Sequence, residues 1–216
     1  MKLFLDTANL DDIRAAAKLG VIHGVTTNPT LISREKGDLS AIIREIASLV
    51  DGPVFAEVIA QNAEGMIREG RELASIDKAV CVKIPMTEAG LTAVSALSKE
   101  GIPVCCTLVF SAAQALLASN AGARYVAPFI GRFDDIGYDG IEAVASIAEV
   151  LSDGEFGTEV VAASVRSPLH AVEAARAGAD IATVPPKALF QMIRHPLTDA
   201  GLAKFMKDWA DSGREA

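Results

Sequence analysis

The chain has 216 residues, of which 50% are hydrophobic and only 5% are aromatic, and this composition suits one domain with a core of closely packed aliphatic side chains. Its net charge of −8 at pH 7 argues against nucleic acid as a partner, and its apolar runs are too short and interrupted for a membrane span. Cys81, Cys105 and Cys106 lack the spacing of metal ligands, so we expect reduced cysteines in a cytoplasmic protein.

Short runs rich in β-branched residues alternate with helical patterns along the whole chain. The first run meets an acidic residue after three apolar positions, so we interpret it as a strand rather than as a signal peptide. The predicted strands are Lys2–Asp6, Ile22–Thr26, Val54–Val58, Val80–Ile84, Val104–Leu108, Tyr125–Phe129, Glu159–Ala163 and Ile181–Val184. The predicted helices are Asp11–Leu19, Leu39–Leu49, Ala63–Ser75, Glu88–Lys99, Ala112–Asn120, Ile141–Leu151, Leu169–Ala177, Lys187–Ile193 and Leu202–Ala210.

Successive predicted strands start about 20 to 35 residues apart, which is the length of one strand–helix unit. Eight such units predict an α/β fold, a single (β/α)8 TIM barrel over residues 1–216, in which residues 196–216 form an additional C-terminal helical extension. An open, doubly wound sheet is the alternative arrangement. It would lead us to expect a glycine-rich phosphate turn after the first strand, whereas the sequence there is Asp-Thr-Ala-Asn.

Polar residues recur at the carboxyl ends of the predicted strands. Because strand side chains alternate between two faces, the inward register can be followed from strand to strand. It selects Phe4 and Asp6, Thr26 and then Asn28, Phe55 and Glu57, Cys81 and Lys83, Cys105 and Thr107, Ala127 and Phe129, and Ala162 and Ser164 followed by Arg166. Active sites of barrels form at this end of the strands. Any one of these residues could be an ordinary loop residue, but together they predict a site.

Lys83 is the most informative of these residues, because its neighbours Val80–Pro85 are otherwise apolar and β-forming. A lysine in such a strand does not resemble a solvated surface charge. Burial disfavours an ammonium ion, and the free amine that results can attack a carbonyl carbon. The alternative is a buried structural salt bridge with Glu57 or Asp6. The two interpretations overlap, since a resting Schiff-base site needs the same pairing.

Four segments resemble the small transaldolase family, whose relatives include fructose-6-phosphate aldolase. They are Phe4–Ala8 (FLDTA), Val25–Leu31 (VTTNPTL), Val82–Pro85 (VKIP) and Phe129–Arg132 (FIGR). The resemblance runs over essentially the whole chain in the same order. It implies a Schiff-base enzyme that needs no metal or other cofactor and that acts on sugar phosphates as a ring-like homo-oligomer, a pentamer or a decamer.

The resemblance also implies roles for individual residues. Lys83 corresponds to the Schiff-base lysine that attacks the C2 carbonyl of a ketose. Asp6 corresponds to the acid/base carboxylate that takes a proton when the bond between C3 and C4 breaks. Glu57 and Thr107 correspond to the pair that holds a catalytic water for proton shuttling.

Further residues correspond to the substrate-binding group of the family. Asn28 matches a residue that binds the hydroxyl groups of the dihydroxyacetone unit. Arg132, Ser164 and Arg166 match the phosphate-binding group, and guanidinium forks suit phosphate oxygens because they bind them in a bidentate way. Cys105 and Ala127 depart from the larger transaldolases, which often carry polar donor-binding residues at these positions.

Two positions separate the transaldolases from the related aldolase. The resemblance implies that the aldolase has a Gln at the position of Glu57 and a Tyr at the position of Phe129. A phenol near the enamine could help to protonate it and release free dihydroxyacetone, whereas Phe129 cannot donate a proton. The sequence therefore predicts a transaldolase that transfers dihydroxyacetone between sugar phosphates. An aldolase that releases dihydroxyacetone and a non-catalytic barrel that binds a sugar phosphate remain the alternatives.

Overall fold

The computed structural model describes residues 1–152 and 157–213. Its eight strands are β1 Lys2–Asp6, β2 Ile22–Thr26, β3 Val54–Glu57, β4 Val80–Pro85, β5 Val104–Val109, β6 Tyr125–Pro128, β7 Glu159–Ala162 and β8 Ile181–Val184. All neighbouring strands are parallel, and β8 pairs with β1 to close the barrel. The predicted (β/α)8 barrel is thus confirmed.

Helices follow the strands around the outside of the barrel. They are α1 Leu10–Ala17, α2 Pro29–Ile32, α3 Leu39–Leu49, α4 Ala63–Ala74, α5 Glu88–Lys99, α6 Ala112–Asn120, α7 Ile130–Asp135, α8 Gly140–Ser152, α9 Pro168–Arg176, α10 Pro186–Ile193 and α11 Pro196–Asp211. The short helices α2 and α7 were not predicted, because four and six residues are too few for a hydrophobic period to be visible. Within the described ranges, no helix is long and apolar enough to cross a membrane.

Local side-chain caps set where several of these helices begin. Asn62 accepts a hydrogen bond from the backbone N–H of Gly65 at 2.7 Å, and Asn9, Asp38, Thr87, Ser111 and Ser167 cap their helices in the same way. Such caps satisfy backbone donors that have no partner within the helix. The additional C-terminal helix begins at Pro196, earlier than predicted, because Pro is well suited to the first helical position. Residues 214–216 of the predicted extension lie outside the described residues.

Two apolar clusters hold the barrel together. The larger cluster fills the space between the strands and the helices and includes Leu5, Val82 and Ile147. The smaller one fills the barrel interior and includes Phe4, Phe55, Cys81, Tyr125 and Ile181. The inner cluster lies below the carboxyl ends of the strands and supports the residues there.

Gly24 shows how closely the interior is packed. A Cβ atom at this position would lie 2.7 Å from the ring of Phe4 and 2.7 Å from the carbonyl oxygen of Pro53. Both atoms belong to neighbouring strands or their approaches, so any larger residue would force them apart. The glycine therefore leaves room for the ring of Phe4 in the inner cluster, two residues before Asp6 on β1.

Candidate active site

A cavity of about 370 Å³ opens at the carboxyl ends of the strands. Seven of the nine predicted site residues line it: Asp6, Asn28, Glu57, Lys83, Phe129, Arg132 and Ser164. Thr107 and Arg166 are not part of its wall. The floor is apolar and is formed in part by Phe55, Ala127 and Val161. The cavity thus combines an apolar floor with polar groups at its wall, as small-molecule sites commonly do.

Lys83 lies inside the barrel on β4, and only 5% of its surface is exposed. Its Nζ donates hydrogen bonds to Glu57 Oε2 at 2.9 Å and to the carbonyl oxygen of Thr27 at 3.3 Å. Glu57 reaches it because β3 and β4 pair in register at these two residues. The ring of Phe129 lies 5.9 Å from Nζ on another side. The amine is therefore held in one place at the cavity wall, next to a carboxylate.

Asp6 contributes a second carboxylate from β1. Its Oδ1 accepts a hydrogen bond from Thr26 Oγ1 at 2.8 Å, and Thr26 is its register partner on β2. Burial raises the pKa of Asp6 above its ordinary value, while the Thr26 hydrogen bond and the Lys83 cation act in the opposite direction. A carboxyl with a raised pKa beside an amine can exchange a proton with substrate near neutral pH more easily than an ordinary aspartate.

Thr107 is fully buried on β5. Its Oγ1 has no hydrogen-bond partner among the residues that the structure describes, although buried hydroxyls are normally satisfied. Thr107 pairs with Pro85 on β4, two residues beyond Lys83. This unsatisfied hydroxyl can still form hydrogen bonds with a water molecule or a substrate group.

Asn28 closes the loop after β2. Its side-chain oxygen accepts a hydrogen bond from the backbone N–H of Leu31 at 2.9 Å and so caps the short helix α2. Its amide nitrogen has no hydrogen-bond partner within the described part of the chain. The cap fixes the orientation of the side chain, so that its NH₂ group remains as the donor for a ligand.

Phe129 belongs to a small aromatic cluster at the rim. The centroid of its ring is 6.1 Å from that of Phe110, which is in turn 5.4 Å from that of Phe133. These separations are typical of tilted and edge-to-face aromatic pairs. The cluster therefore fixes Phe129 above the amine of Lys83.

The predicted register of strand seven was wrong. Val161 and Ala163 belong to the inner cluster, whereas Ala162 packs outward against the helices. The run is apolar on both faces, so alternation alone could not identify the inward one. Ser164 still lines the cavity, because its backbone turns into the left-handed region with φ of 57°.

The two arginines differ in their surroundings. Arg132 lines the cavity, and it forms no ion pair within residues 1–152 and 157–213. Arg166 instead forms a bidentate pair with Asp135, in which both N–O distances are 2.6 Å. The Arg166 guanidinium lowers the pKa of the Asp135 carboxyl. Arg166 passes directly over Gly131, where a Cβ atom would lie 2.5 Å from its Nε.

Thr183 and Leu108 are two of the cavity residues that sequence reasoning missed. Thr183 on β8 is 2% exposed and lies 2.6 Å from Thr26 through their hydroxyl oxygens. Alternation along β8, which sends Ile181 into the inner cluster, was the signal that could have identified it. Leu108 lines the cavity at the end of β5, where the register shifts and its φ is 58°. No sequence pattern indicated this irregularity.

The three cysteines do not line the cavity. Cys81 and Cys105 belong to the inner cluster and Cys106 to the outer one. Burial raises the pKa of all three thiols, that of Cys106 to about 12. They therefore stay protonated and act as small apolar side chains. Among the described residues no group of three potential metal ligands occurs.

Residues 3–216 match the sequence profile of the family described as Transaldolase/Fructose-6-phosphate aldolase. A protein of Thermoanaerobacter sp. named probable transaldolase is 56% identical over 213 residues, which cover 99% of this chain and 99% of that protein. Proteins with the same name from Clostridium acetobutylicum and Caldicellulosiruptor saccharolyticus are 57% and 58% identical. These two alignments cover 98% and 97% of this chain, and 99% and 97% of the respective relatives.

Solved structures resemble the chain in fold. Thiamine phosphate pyrophosphorylase from Pyrococcus furiosus aligns over 87% of this chain and 91% of its own with a TM-score of 0.59 at 19% identity. A mutant mandelate oxidase aligns over 86% of this chain and 64% of its own with a TM-score of 0.60 at 18% identity. Identities this low describe the barrel alone, whereas the profile and the full-length relatives show the family. The chain belongs to the transaldolase/fructose-6-phosphate aldolase family.

Proposed function

We propose that the protein is a transaldolase that transfers a dihydroxyacetone unit between sugar phosphates through a Schiff base on Lys83. The observation that carries this proposal is the position of the Lys83 amine, which lies in the cavity wall 2.9 Å from Glu57 and shares the cavity with Asp6. An amine between two carboxylates can lose its proton to form an imine and regain it afterwards.

The chemistry balances with these groups alone. The amine attacks C2 of fructose 6-phosphate, and loss of water leaves a protonated imine. The bond between C3 and C4 then breaks, its electron pair enters the imine as an enamine, and glyceraldehyde 3-phosphate leaves. The enamine carbon attacks the aldehyde of erythrose 4-phosphate, and hydrolysis of the new imine releases sedoheptulose 7-phosphate and the free lysine.

Asp6 and Glu57 divide the proton transfers in this scheme. Asp6, as a carboxylate, takes the proton of the C4 hydroxyl during cleavage and returns it to the new hydroxyl during addition. Glu57 exchanges protons with the imine and the departing water. The unsatisfied hydroxyl of Thr107 supports a role in holding that water. General acid–base groups of this kind contribute on the order of 10²–10⁴-fold to a rate.

The phosphate is assigned to the rim of the cavity. Arg132 and Ser164 line the cavity, and Asn28 offers an amide donor for the hydroxyl groups of the dihydroxyacetone unit. For Arg166 to contribute, its guanidinium must exchange the Asp135 carboxylate for the substrate phosphate. Both are oxygen anions that accept bidentate hydrogen bonds, so the exchange keeps the guanidinium satisfied.

Transfer rather than release is supported by Phe129 and Glu57. No hydroxyl group is available from Phe129, whose ring lies 5.9 Å from Lys83 Nζ, so the enamine persists until an acceptor arrives. We expect turnover of fructose 6-phosphate to depend on added erythrose 4-phosphate. Strong turnover without acceptor would instead favour the aldolase alternative. Phe129→Tyr should raise the release of free dihydroxyacetone, and no gain would contradict this role of Phe129.

Borohydride reduction in the presence of fructose 6-phosphate tests the Schiff base directly. Peptide mapping should find a dihydroxyacetone adduct on Lys83 in the wild type and none in Lys83→Ala. An absent adduct in the folded wild type would leave only a barrel that binds sugar phosphates without catalysis. Circular dichroism of both proteins is the control for folding.

We assign the contact between subunits to helix α11. Its apolar side chains, including Leu202, Phe205 and Trp209, are exposed, and none of its described residues is buried. A helix with this many exposed apolar residues is typical of an oligomer contact. We expect a cytoplasmic homo-oligomer, a pentamer or a decamer, of single-domain chains. Light scattering should give its mass, and Phe205→Glu should reduce that mass if α11 forms the contact.

A further inference from the structure

Three side chains are linked by hydrogen bonds where the first and last strands close the barrel. Thr183 on β8, Thr26 on β2 and Asp6 on β1 belong to three strands that are adjacent in the order β8–β1–β2. The hydroxyl oxygens of Thr183 and Thr26 are 2.6 Å apart, and Thr26 Oγ1 is 2.8 Å from Asp6 Oδ1. Both threonines are nearly fully buried, at 2% and 3% exposure. The two hydroxyl groups are therefore largely shielded from bulk water.

The number of available protons determines which group donates in each of these hydrogen bonds. A carboxylate only accepts hydrogen bonds, so when Asp6 is ionised Thr26 must donate its single hydroxyl proton to it. The short contact between the two threonines then requires Thr183 to donate to Thr26. The hydroxyl of Thr183 thus supports the charged form of Asp6, and hydrogen bonds in such a chain strengthen one another by polarisation.

An ordinary structural role does not account for Thr183. Two other buried threonines donate to backbone carbonyl groups, Thr27 to Phe55 and Thr158 to Ala123. Within the described part of the chain, the Thr183 hydroxyl has one hydrogen-bond contact, that with Thr26. The strand itself requires only a β-branched side chain of this size, and valine would meet that requirement.

We propose that Thr183, acting through Thr26, is a positioning residue that holds the Asp6 carboxylate in one orientation and stabilises its charged form. The proposal rests on the acid/base role proposed for Asp6. The charged groups that share the cavity with Asp6 are Lys83 on β4, Glu57 on β3 and Arg132 on α7. Burial raises the pKa of Asp6, and the hydroxyl chain opposes this effect in the same sense as Lys83 does.

The sign of the effect follows from the reaction. Cleavage of fructose 6-phosphate needs the Asp6 carboxylate, so kcat/KM should rise with pH through the pKa of Asp6. Loss of the Thr183 hydroxyl should raise that pKa further. In Thr183→Val the rising limb of the profile should therefore move to higher pH by about half a unit to one unit. Thr183→Ser should return the limb to its wild-type position.

Thr158→Val is the matched control, since it also removes the hydroxyl of a buried threonine but lies outside the cavity lining. It should leave the limb unchanged. If Thr183→Val misfolds, Thr183→Ala removes the same hydroxyl. An unshifted limb in a folded Thr183 variant, failure of Thr183→Ser to restore it, or an equal shift in Thr158→Val would overturn the proposal.

Two further measurements separate this proposal from the assignment of function. Borohydride should still trap fructose 6-phosphate on Lys83 in Thr183→Val, at least as the adduct of the uncleaved sugar, because imine formation does not use Asp6. A wild type that forms no adduct would defeat the transaldolase assignment alone. The ¹³C resonance of the Asp6 carboxyl, identified with Asp6→Asn, reports its titration without any catalysis. Its midpoint should rise in Thr183→Val, and an unchanged midpoint would overturn the hydroxyl chain by itself.

Discussion

The barrel interior has two layers that differ in chemistry although the same strands form both. The lower layer contains Phe4 and Phe55, whose ring centroids are 5.6 Å apart in an edge-to-face arrangement. The upper layer contains Asp6, Glu57 and Lys83, and the two acidic residues each lie two positions further along the strands that carry the two phenylalanines. One step of the alternation therefore separates packing from chemistry.

The two layers obtain their order from different forces. The lower layer gains free energy by removing apolar surface from water, and this force has no preferred direction. In the upper layer burial costs free energy unless each polar group has a partner. The pairs Lys83–Glu57 and Thr26–Asp6 supply those partners, and they fix the side chains in particular orientations. The layer proposed to carry the catalysis is thus ordered by directed contacts, and the following predictions test this difference.

The largest effect on activity should come from making the upper layer resemble the lower one. Lys83→Met combined with Glu57→Leu should lower transfer activity on the order of 10⁴-fold or more, because the nucleophile is lost. The free energy of unfolding should stay the same or rise by about 1–4 kcal/mol, since apolar residues often replace a buried ion pair without loss. Denaturant titration and coupled assays measure both quantities.

The single change Lys83→Met is the matched control for this double variant. It leaves the Glu57 carboxylate buried without its partner, so we expect it to be less stable than the double variant. Greater stability of the single variant would contradict the view that pairing orders the upper layer.

Asp6→Asn should have the next largest effect on activity. It keeps the shape of the side chain but removes the base, so kcat for transfer should fall by about 10²–10⁴-fold. Borohydride should still trap fructose 6-phosphate on Lys83 as an adduct of the uncleaved sugar, because imine formation precedes the step that uses Asp6. Equal losses of adduct and turnover would show that Asp6 acts earlier than proposed.

Phe4→Ala tests the lower layer and should act mainly on stability. Phe4 is 1% exposed, and its loss should reduce the free energy of unfolding by about 3–5 kcal/mol. The folded fraction should still form the borohydride adduct, because the hydrogen bond between Lys83 and Glu57 remains. Val150→Ala, at a half-exposed position on α8, is the control and should change stability by less than about 0.5 kcal/mol.

Gly131→Ala should have the smallest effect, since it acts at the rim. Its new Cβ would lie 2.5 Å from Arg166 Nε and 2.7 Å from the carbonyl oxygen of Ser164, so the residues proposed to bind phosphate must shift. We expect KM for fructose 6-phosphate to rise about tenfold, the equivalent of about 1.4 kcal/mol, with little change in kcat. Gly201→Ala meets no atom within 4 Å and should leave KM unchanged in the same assay.

Local patterns along the chain predicted most of the fold. The strands Lys2–Asp6, Ile22–Thr26 and Ile181–Val184 have the predicted bounds, and the other five differ by one residue at their carboxyl ends. The alternation also identified Asp6, Glu57 and Lys83 as residues of one face. These predictions succeeded because strand periodicity and strand–helix spacing are properties of consecutive residues.

Other features depended on contacts between distant parts of the chain. Thr26 and Thr183 meet across 157 positions only because β8 closes on β1, and Arg166 meets Asp135 only because β6 and β7 are neighbours. The left-handed backbone at Ser164 likewise overrode the alternation on strand seven. The sequence by itself determined which residues point inward along most strands. The closed barrel decided which of them share a hydrogen bond, because a hydrogen bond requires atoms within about 3 Å of each other, and only the tertiary fold sets that distance.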